Sequence, residues 1–223
     1  TTRASTYGVN GAVSCLKESQ MTRTAFLLLG LLAAPPASPQ AVTFTKFDQN
    51  HSTIGFVVPI LGEMSEVHGK FKAFAATLVY DASDITKSSI DATIDAASLD
   101  TGIEDRDAHL RSPDFFDVAE HPSIRFRSTA IASRNGQLVA IGILSMRGVD
   151  KPIELPFAVK GLDVDSASGM VSIGVSADMA LNRQDYGIAW RHAIPAFVGD
   201  QIGVRIRLIS RLTPGATTPP PAP

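Results

Sequence analysis

The sequence has little of what marks several common protein classes. Among its 223 residues there is one cysteine, Cys15, aromatic residues make up 7%, and the net charge is only -2. A framework of disulfides is therefore excluded, and a strongly basic surface for nucleic acid is not indicated. The apolar run AFLLLGLLAA at residues 25–34 has ten residues, which is too short for a membrane-spanning helix.

The first 41 residues predict a leader that the folded protein does not keep. Met21-Thr-Arg-Thr supplies a positive charge, the apolar run follows, and small residues and prolines extend to Ala41. This order is typical of a secretory signal peptide. We therefore interpret residues 1–20 as an upstream extension from a misplaced start and residues 21–41 as the signal peptide. The exported chain would contain no cysteine, and we expect it in the periplasm.

The rest of the chain predicts one domain, residues 42–213, and a disordered tail. About 170 residues can bury a sufficient core without disulfides. The ending PGATTPPPAP, residues 214–223, has low complexity and cannot contribute to a core. Beyond residue 41 there are 17 basic and 21 acidic residues, so neither nucleic acid nor an anionic membrane is an expected electrostatic partner.

Alternation of apolar and polar residues predicts an all-β fold. The segments STIGFVVPI, SSIDATIDAAS and SIRFRSTAI alternate strictly, and further strands are predicted at residues 67–80, 137–146, 153–162, 170–181 and 201–212. The dipeptide Asn135-Gly136 between two such runs indicates a hairpin. About eight strands in series predict an eight-stranded antiparallel up-and-down barrel, because closure removes exposed edges. The predicted inward side chains are Ile54, Phe56, Phe71, Ile94, Ile124, Phe126, Leu144 and Ile206.

A short helical insertion interrupts the strands at TGIEDRDAHLRSPDFFDV, residues 101–118. Thr101 and Glu104 have the spacing of a capping box, and Arg106, His109 and Leu110 share one helix face. The group Arg106, Asp107 and His109 has three interpretations, namely catalysis, contact with a bound molecule, and attachment of the helix to the barrel. We favour attachment, because charged groups at buried junctions are normally paired.

No catalytic or metal-binding residue is indicated by spacing. The five histidines, at positions 51, 68, 109, 121 and 192, do not form an HxH or HExxH pattern, and no GxSxG motif occurs. The protein is therefore predicted not to be an enzyme and to need no metal or cofactor. The alternatives that stay open are an enzyme that acts at the barrel mouth and a filled barrel that serves as a stress-response interaction module.

Four sequence blocks resemble one known family. They are DQNHSTIGFVV, TGIEDRDAHLRSPDFFDVAEHPSIRFRS, IGILSMRGVDKPIEL and LNRQDYGI, and in this order and spacing they resemble the YceI-like family from Phe47 to Leu212. The resemblance implies an exported bacterial protein with a lipocalin-like barrel that encloses a polyprenyl lipid or an isoprenoid quinone. Pro59 departs from the pattern, since a histidine is expected in the second half of that strand, and either strand pairing or a polar pocket contact is expected to differ there.

The segment LNRQDYGIAWRH has a functional interpretation that predicts where such a ligand would bind. Arg183, Tyr186 and Trp190 are expected to close the barrel mouth around the polar head group, although a simple rim hairpin explains LNRQDYGIAWRH equally well. No membrane span is expected, and a homodimer is left open. The predicted ligand-binding residues are Phe56, Phe71, Ile94, Arg106, His109, Phe126, Leu144, Arg183, Tyr186 and Trp190.

Overall fold

A computed structural model describes residues 41–194 and 197–212 of the chain. The interpretations of residues 1–20 as an upstream extension, of residues 21–41 as signal peptide (except for Ala41) and of residues 214–223 as a tail lie outside these residues. None of the helices in the described part of the chain has the length and apolar composition that crossing a membrane requires.

The described residues form eleven strands and one α-helix. The strands are β1 Val42–Phe44, β2 Thr53–Ile60, β3 Ser65–Phe71, β4 Phe74–Tyr80, β5 Ser89–Asp95, β6 Leu99–Asp100, β7 Ser123–Arg134, β8 Gln137–Met146, β9 Val149–Val164, β10 Val171–Asn182 and β11 Gln201–Leu212. The helix α1, Glu104–Arg111, lies between β6 and β7. Short 3-10 turns occur at Ile85–Lys87, Ala96–Ser98 and Arg183–Tyr186.

The strands form an antiparallel barrel of eight segments. From β4 the ladder runs through β5, β7, β8, β9, β10 and β11 to β2 and β3. The predicted strand 67–80 is divided into β3 and β4 at residues 72–73, and these two halves pair with opposite neighbours, β2 and β5. Because β3 and β4 are consecutive along the chain, the ladder returns to its starting segment. The predicted antiparallel barrel is confirmed, with more strands than expected because of this division and the short strands β1 and β6.

The segment that begins with β1 fills the seam between β4 and β11. Strand β1 pairs with β4, and Phe47 then forms an isolated bridge with Ser210 of β11. The hydroxyl of Ser210 donates to the carbonyl oxygen of Lys46 at 2.6 Å, and the Asp48 N–H donates to the Ile209 carbonyl oxygen at 2.9 Å. These bonds supply partners for backbone groups that β2 does not reach.

Side-chain alternation produces the wall of the barrel, and in β7 this alternation changes phase. In β7 the side chains of Ile124 and Phe126 are buried, and after a bulge between Ser128 and Ala130 the buried position moves to Ile131. A bulge adds one residue to its strand and so exchanges the two faces beyond it. Gly142 faces the bulge from β8, and a β-carbon there would overlap the Arg127 carbonyl oxygen.

Gly142→Ala is expected to lower the free energy of unfolding by about 2 kcal/mol, because the added methyl group displaces backbone rather than a flexible side chain. Urea denaturation measures the change. Gly161→Ala is the matched control, since a β-carbon at Gly161 meets no atom within 4 Å, and it is expected to stay within about 0.5 kcal/mol of wild type. Equal stability of the two variants would contradict the packing argument at the bulge.

The connections divide between two ends of the barrel. One end carries the β4–β5, β7–β8 and β9–β10 turns, including the predicted hairpin at Asn135-Gly136, where both residues have the positive φ angles of a type I′ turn. The other end carries the β2–β3 turn, the insertion with α1, the β8–β9 turn, and the 183–200 segment, which connects β10 to β11. We refer to this second end as the mouth end.

Candidate functional site

The barrel encloses a cavity of about 450 Å³. A volume of about 300–1,000 Å³ is typical of pockets that hold small molecules. Strands around the whole barrel contribute to its wall, and nearly all of the lining side chains are apolar. The polar lining side chains are Thr77, Arg106, His109 and Arg183. Three of these four belong to the mouth end, so the cavity has an apolar interior with its charged groups on one side.

The opposite end of the barrel is closed by a second apolar cluster. Phe44 of β1 and Ile173 of β10 are fully buried there and pack with Leu78 of β4. Phe47, in the segment after β1, lines the cavity from this side. Because β1 fills this end with a phenylalanine, a molecule in the cavity would enter from the mouth end.

The structure brings together most of the residues that the sequence singled out. All eight predicted inward side chains line the cavity. The exception among the ten predicted ligand-binding residues is Tyr186, which is 2% exposed and packs in the hydrophobic core instead of lining the cavity. Contact of the others with a ligand stays a prediction. Those on the cavity wall are Phe56, Phe71, Ile94, Arg106, His109, Phe126, Leu144, Arg183 and Trp190.

Hydrogen bonds to the chain just before α1 attach the helix to the barrel. The buried carboxylate of Asp107 accepts from the N–H of Thr101 at 2.9 Å and from its hydroxyl at 2.6 Å. Arg111 donates to the carbonyl oxygens of Ala97 and Leu99 at 2.8 and 2.7 Å. The predicted capping box is wrong, since the helix begins at Glu104 with no side-chain cap and Thr101 is bound to Asp107.

Arg106 and His109 lie on the helix face that lines the cavity, together with Leu110. Arg106 donates from Nε to the Thr101 hydroxyl at 2.7 Å and from Nη2 to the Thr101 carbonyl at 2.9 Å. His109 Nε2 lies 2.9 Å from Asp114 Oδ2. The group Arg106, Asp107 and His109 thus divides by role: Asp107 attaches the helix, whereas Arg106 and His109 also reach the cavity.

A row of aromatic rings connects the insertion to the 183–200 segment. The His109 ring stands edge-on to Phe115 and to Trp190, with centroid distances of 5.0 and 5.1 Å. Trp190 lies 5.9 Å from His192, which stacks on Phe197 at 4.1 Å. Edge-to-face and offset pairs of this kind are favourable arrangements of aromatic rings. The row forms one rim of the mouth and contains the only tryptophan of the sequence.

Arg183 holds the 183–200 segment together. Its side chain is 5% exposed and its Nη2 lies 2.8 Å from Asp200 Oδ1. Burial lowers the pKa of the Arg183 guanidinium, and the charge of Asp200 opposes this change. A hydrogen bond from the Gln184 amide and the charge of Arg183 hold the pKa of Asp200 below its usual value. The guanidinium also donates to the carbonyl oxygens of Ile188, Trp190 and Gly199 at 2.8, 2.9 and 3.0 Å.

Pro59 keeps its place in the sheet despite the expected change in pairing. It lies opposite Glu66 in the β2–β3 ladder, and its carbonyl oxygen accepts from the Gly199 N–H at 2.8 Å. Proline has no N–H to donate, but its carbonyl remains available. The bond joins β2 to the 183–200 segment beside Asp200.

Tyr186 is buried beneath the mouth, next to Arg183 in the same 3-10 turn. Burial, with a smaller contribution from Asp185, raises the pKa of Tyr186 to about 12. The phenol therefore stays neutral in the folded protein at pH values where an unfolded chain has lost that proton.

The free energy of unfolding is expected to fall between pH 10 and pH 12, by up to about 2 kcal/mol from Tyr186 alone. Above pH 10 the unfolded chain binds fewer protons at this residue than the folded protein, so stability decreases as the pH rises. Urea denaturation at several pH values measures the slope for wild type and Tyr186→Phe. A Tyr186→Phe variant with an unchanged slope over this range would show that Tyr186 is not the source.

Arg147 is a mouth-end residue that the sequence did not single out. It lies in the β8–β9 turn and donates to the carbonyl oxygens of Pro113 and Gly187, at 2.8 and 2.9 Å. Gly187 has a φ of 72° and a β-carbon there would lie 2.9 Å from Arg147 Nη1. Arg147 thereby joins the insertion to the 183–200 segment.

The charged side chains at the mouth end are held by other groups of the protein. No group of three or more His, Cys, Asp and Glu side chains in residues 41–194 and 197–212 has the geometry of a metal site. Of the charged groups that reach the cavity, Arg183 bonds to four partners and Arg106 bonds twice to Thr101. These bonds fix the charged side chains at the mouth end of an apolar cavity.

Comparisons with known proteins agree with this fold. A UPF0312 protein of Vibrio cholerae is 35% identical over 139 residues, which are 62% of this chain and 72% of the relative. The crystal structure of Burkholderia cenocepacia BcnA is 22% identical, with a TM-score of 0.66 over 74% of this chain and 99% of BcnA. A polyisoprenoid binding domain of Saccharophagus degradans, implicated in plant cell wall breakdown, is 14% identical, with a TM-score of 0.57 over 78% of this chain and all of that domain.

The two solved structures share the fold of this chain at low sequence identity. The family assignment depends instead on the sequence itself. The family model described as the YceI-like domain matches residues 46–209, which include β2 to β10, most of β11 and all of α1. The chain therefore belongs to the YceI-like family.

Proposed function

We propose that this protein binds an isoprenoid-tailed amphiphile, a polyprenyl lipid or an isoprenoid quinone, inside its barrel and sequesters or carries it in the periplasm. The observation that carries this proposal is the cavity itself, about 450 Å³ with an apolar wall and charged side chains only at the mouth end. A cavity of this size disfavours the filled-barrel alternative. The tail of the amphiphile would lie in the interior and its head group near Arg106 and His109.

The driving force is removal of the apolar tail from water. Burial of apolar surface contributes about 25 cal/mol per Å², so a tail that buries about 400 Å² gains about 10 kcal/mol before the costs of association. The charged side chains at the mouth end cannot supply a comparable binding free energy, because Arg183 is already bound to protein groups. Affinity is therefore expected to follow the length of the apolar tail, and the head group contributes orientation.

The isoprenoid class is supported by the family and by one neighbour. The Saccharophagus degradans domain of the same fold is described as polyisoprenoid binding. Its low identity supports the shape of the barrel, and the apolar wall of this chain supports an apolar guest independently. The periplasmic location is supported by the signal-peptide pattern of residues 21–41.

Binding is proposed to leave the ligand chemically unchanged. The catalytic alternative uses Arg106, Asp107 and His109, but the Asp107 carboxylate is buried against Thr101 and does not line the cavity. Incubation of the loaded protein followed by solvent extraction is expected to return the intact lipid. Conversion of the lipid by wild type and not by a folded His109→Gln variant would establish the enzyme instead.

The direct test is mass spectrometry of the protein from its native host, purified without detergent and then extracted with solvent. A stoichiometric isoprenoid species is expected. A second test uses the fluorescence of Trp190, the only tryptophan of the sequence. Trp190 lines the cavity, and a bound quinone is expected to quench its fluorescence. Titration with quinones of increasing tail length is expected to show at least about a hundredfold gain in affinity over the tail-less quinone. Equal affinity for all tail lengths would contradict a tail in the barrel.

A further inference from the structure

Four large apolar side chains are exposed to solvent in the part of the chain that the structure describes. Their exposed fractions are 81% for Met64, 53% for Ile103, 52% for Ile194 and 38% for Leu61. Single exposed apolar residues are ordinary, so it is their common location that matters.

All four lie at the mouth end. Leu61 and Met64 are in the β2–β3 turn, Ile103 precedes α1, and Ile194 is in the 183–200 segment. The turns at the other end, at residues 81–88, 135–136 and 165–170, contain none of these four. We call these four side chains the apolar rim.

The apolar rim is joined to the wall of the cavity. The Leu61 N–H donates to the Phe197 carbonyl oxygen at 3.0 Å, and Ile60 forms a bridge with Val198. Ile60, Phe197 and Val198 all line the cavity. Leu61 also has a φ of 54°, an uncommon value for a bulky residue, and its backbone bond holds it in that conformation beside the opening.

Acidic side chains outnumber basic ones beside the apolar rim. Glu63 lies between Leu61 and Met64, and Glu104 and Asp105 follow Ile103, whereas Arg191 is the basic residue near Ile194. All four charged residues are exposed. An acidic excess disfavours an anionic lipid surface and is compatible with a zwitterionic one.

We propose that the apolar rim docks the mouth of the barrel onto a zwitterionic lipid bilayer. This proposal rests on the proposed function, because an isoprenoid tail resides in a bilayer and must cross from it to the cavity. Separate apolar tips on three connections, with charges between them, suit a bilayer surface, where each tip enters the acyl layer and the charges stay at the headgroups. With the rim inserted, the tail reaches the cavity wall without crossing water.

Flotation with phosphatidylcholine vesicles tests the docking surface. The full chain is compared with a variant carrying Leu61→Ser, Met64→Ser, Ile103→Ser and Ile194→Ser. Both proteins contain the apolar run 25–34, so a difference between them reports the apolar rim. The bound fraction is expected to fall by roughly tenfold or more in the fourfold variant. A control with Ala82→Ser and Ala167→Ser, exposed residues at the other end, is expected to float like wild type.

The charge argument predicts a change of opposite sign. Glu63→Gln combined with Glu104→Gln is expected to raise binding to vesicles that contain phosphatidylglycerol by roughly fivefold or more. Binding to phosphatidylcholine alone is expected to stay unchanged. Stronger binding of wild type to phosphatidylglycerol than to phosphatidylcholine would overturn the choice of a zwitterionic surface.

Two further measurements separate this inference from the proposed function. Quinone titration without vesicles is expected to give equal affinity for wild type and the fourfold variant. If wild type does not bind quinone, the proposed ligand is wrong, whereas flotation that depends on the apolar rim still supports the docking surface. Unchanged flotation of the fourfold variant overturns the docking surface. Self-association of wild type that the four substitutions abolish, seen by sedimentation velocity with no vesicle binding, overturns it in favour of an interface between two copies.

Discussion

Replacing Ala177 with phenylalanine is expected to weaken ligand binding strongly while the barrel still folds. Ala177 is 4% exposed and lines the cavity from β10, between Phe157 of β9 and Ile206 of β11, which line it as well. A phenyl ring at this position would project into the cavity and occupy space that the ligand tail needs. Affinity for a long-tailed quinone is expected to fall by about a hundredfold or more, which corresponds to about 2.7 kcal/mol.

The matched control is Ala180→Phe on the same strand. Ala180 is exposed and points away from the cavity, three residues further along β10. Both variants gain the same side chain, so a loss of affinity in Ala177→Phe alone reports the cavity. Quenching of Trp190 by the quinone measures affinity, and thermal unfolding shows whether each variant folds. Full affinity in a folded Ala177→Phe variant would place the binding site outside the barrel.

The wall of the cavity could be predicted from the sequence because strand geometry is local. Successive side chains of a strand point to opposite faces, so the alternation in STIGFVVPI fixes Ile54 and Phe56 on one face. Once one residue of a strand is known to point inward, the alternation assigns the other inward residues of that strand. A change of parity within a strand was not predicted, since the bulge at Ser128–Ala130 depends on the facing strand, where Gly142 leaves room for it.

The size of the cavity could not be predicted in the same way. Whether inward side chains fill a barrel or leave a space depends on how the strands tilt and how large residues oppose small ones. Gly69 shows the difficulty: a β-carbon there would overlap the Phe56 ring, so this glycine is covered by a neighbouring side chain and leaves no empty space. Small residues in the sequence are therefore poor indicators of a cavity.

The mouth was predicted in its composition but not in its bonding. Thr101 and Glu104 match a capping box, yet Thr101 bonds to Asp107, because the turn before α1 brings the two side chains together. Arg183 was expected at a ligand head group, whereas it bonds to carbonyl oxygens of Ile188 and Gly199. Those partners depend on the path of the 183–200 segment, which residue types alone do not determine.

Arg183→Met is expected to lower the free energy of unfolding by about 3 kcal/mol, the largest loss of stability predicted for this protein. Methionine keeps much of the apolar stem but none of the donors. The carbonyl oxygens of Ile188, Trp190 and Gly199 would lose their hydrogen bonds, and the Asp200 carboxylate would lose its nearest cation. Buried polar groups left without partners contribute most of the loss.

Arg191→Met separates this effect from the loss of a positive charge near Asp200. The Arg191 guanidinium lies 3.7 Å from Asp200 Oδ2 but its side chain is 63% exposed, so the variant is expected to lose less than about 1 kcal/mol. Urea denaturation of both variants gives the difference. If Arg183 attaches the 183–200 segment, the Arg183→Met variant unfolds at a lower urea concentration than the Arg191→Met variant. If Arg183→Met instead keeps wild-type stability and loses only discrimination between quinone and polyprenyl phosphate, Arg183 acts on the head group and not on the segment.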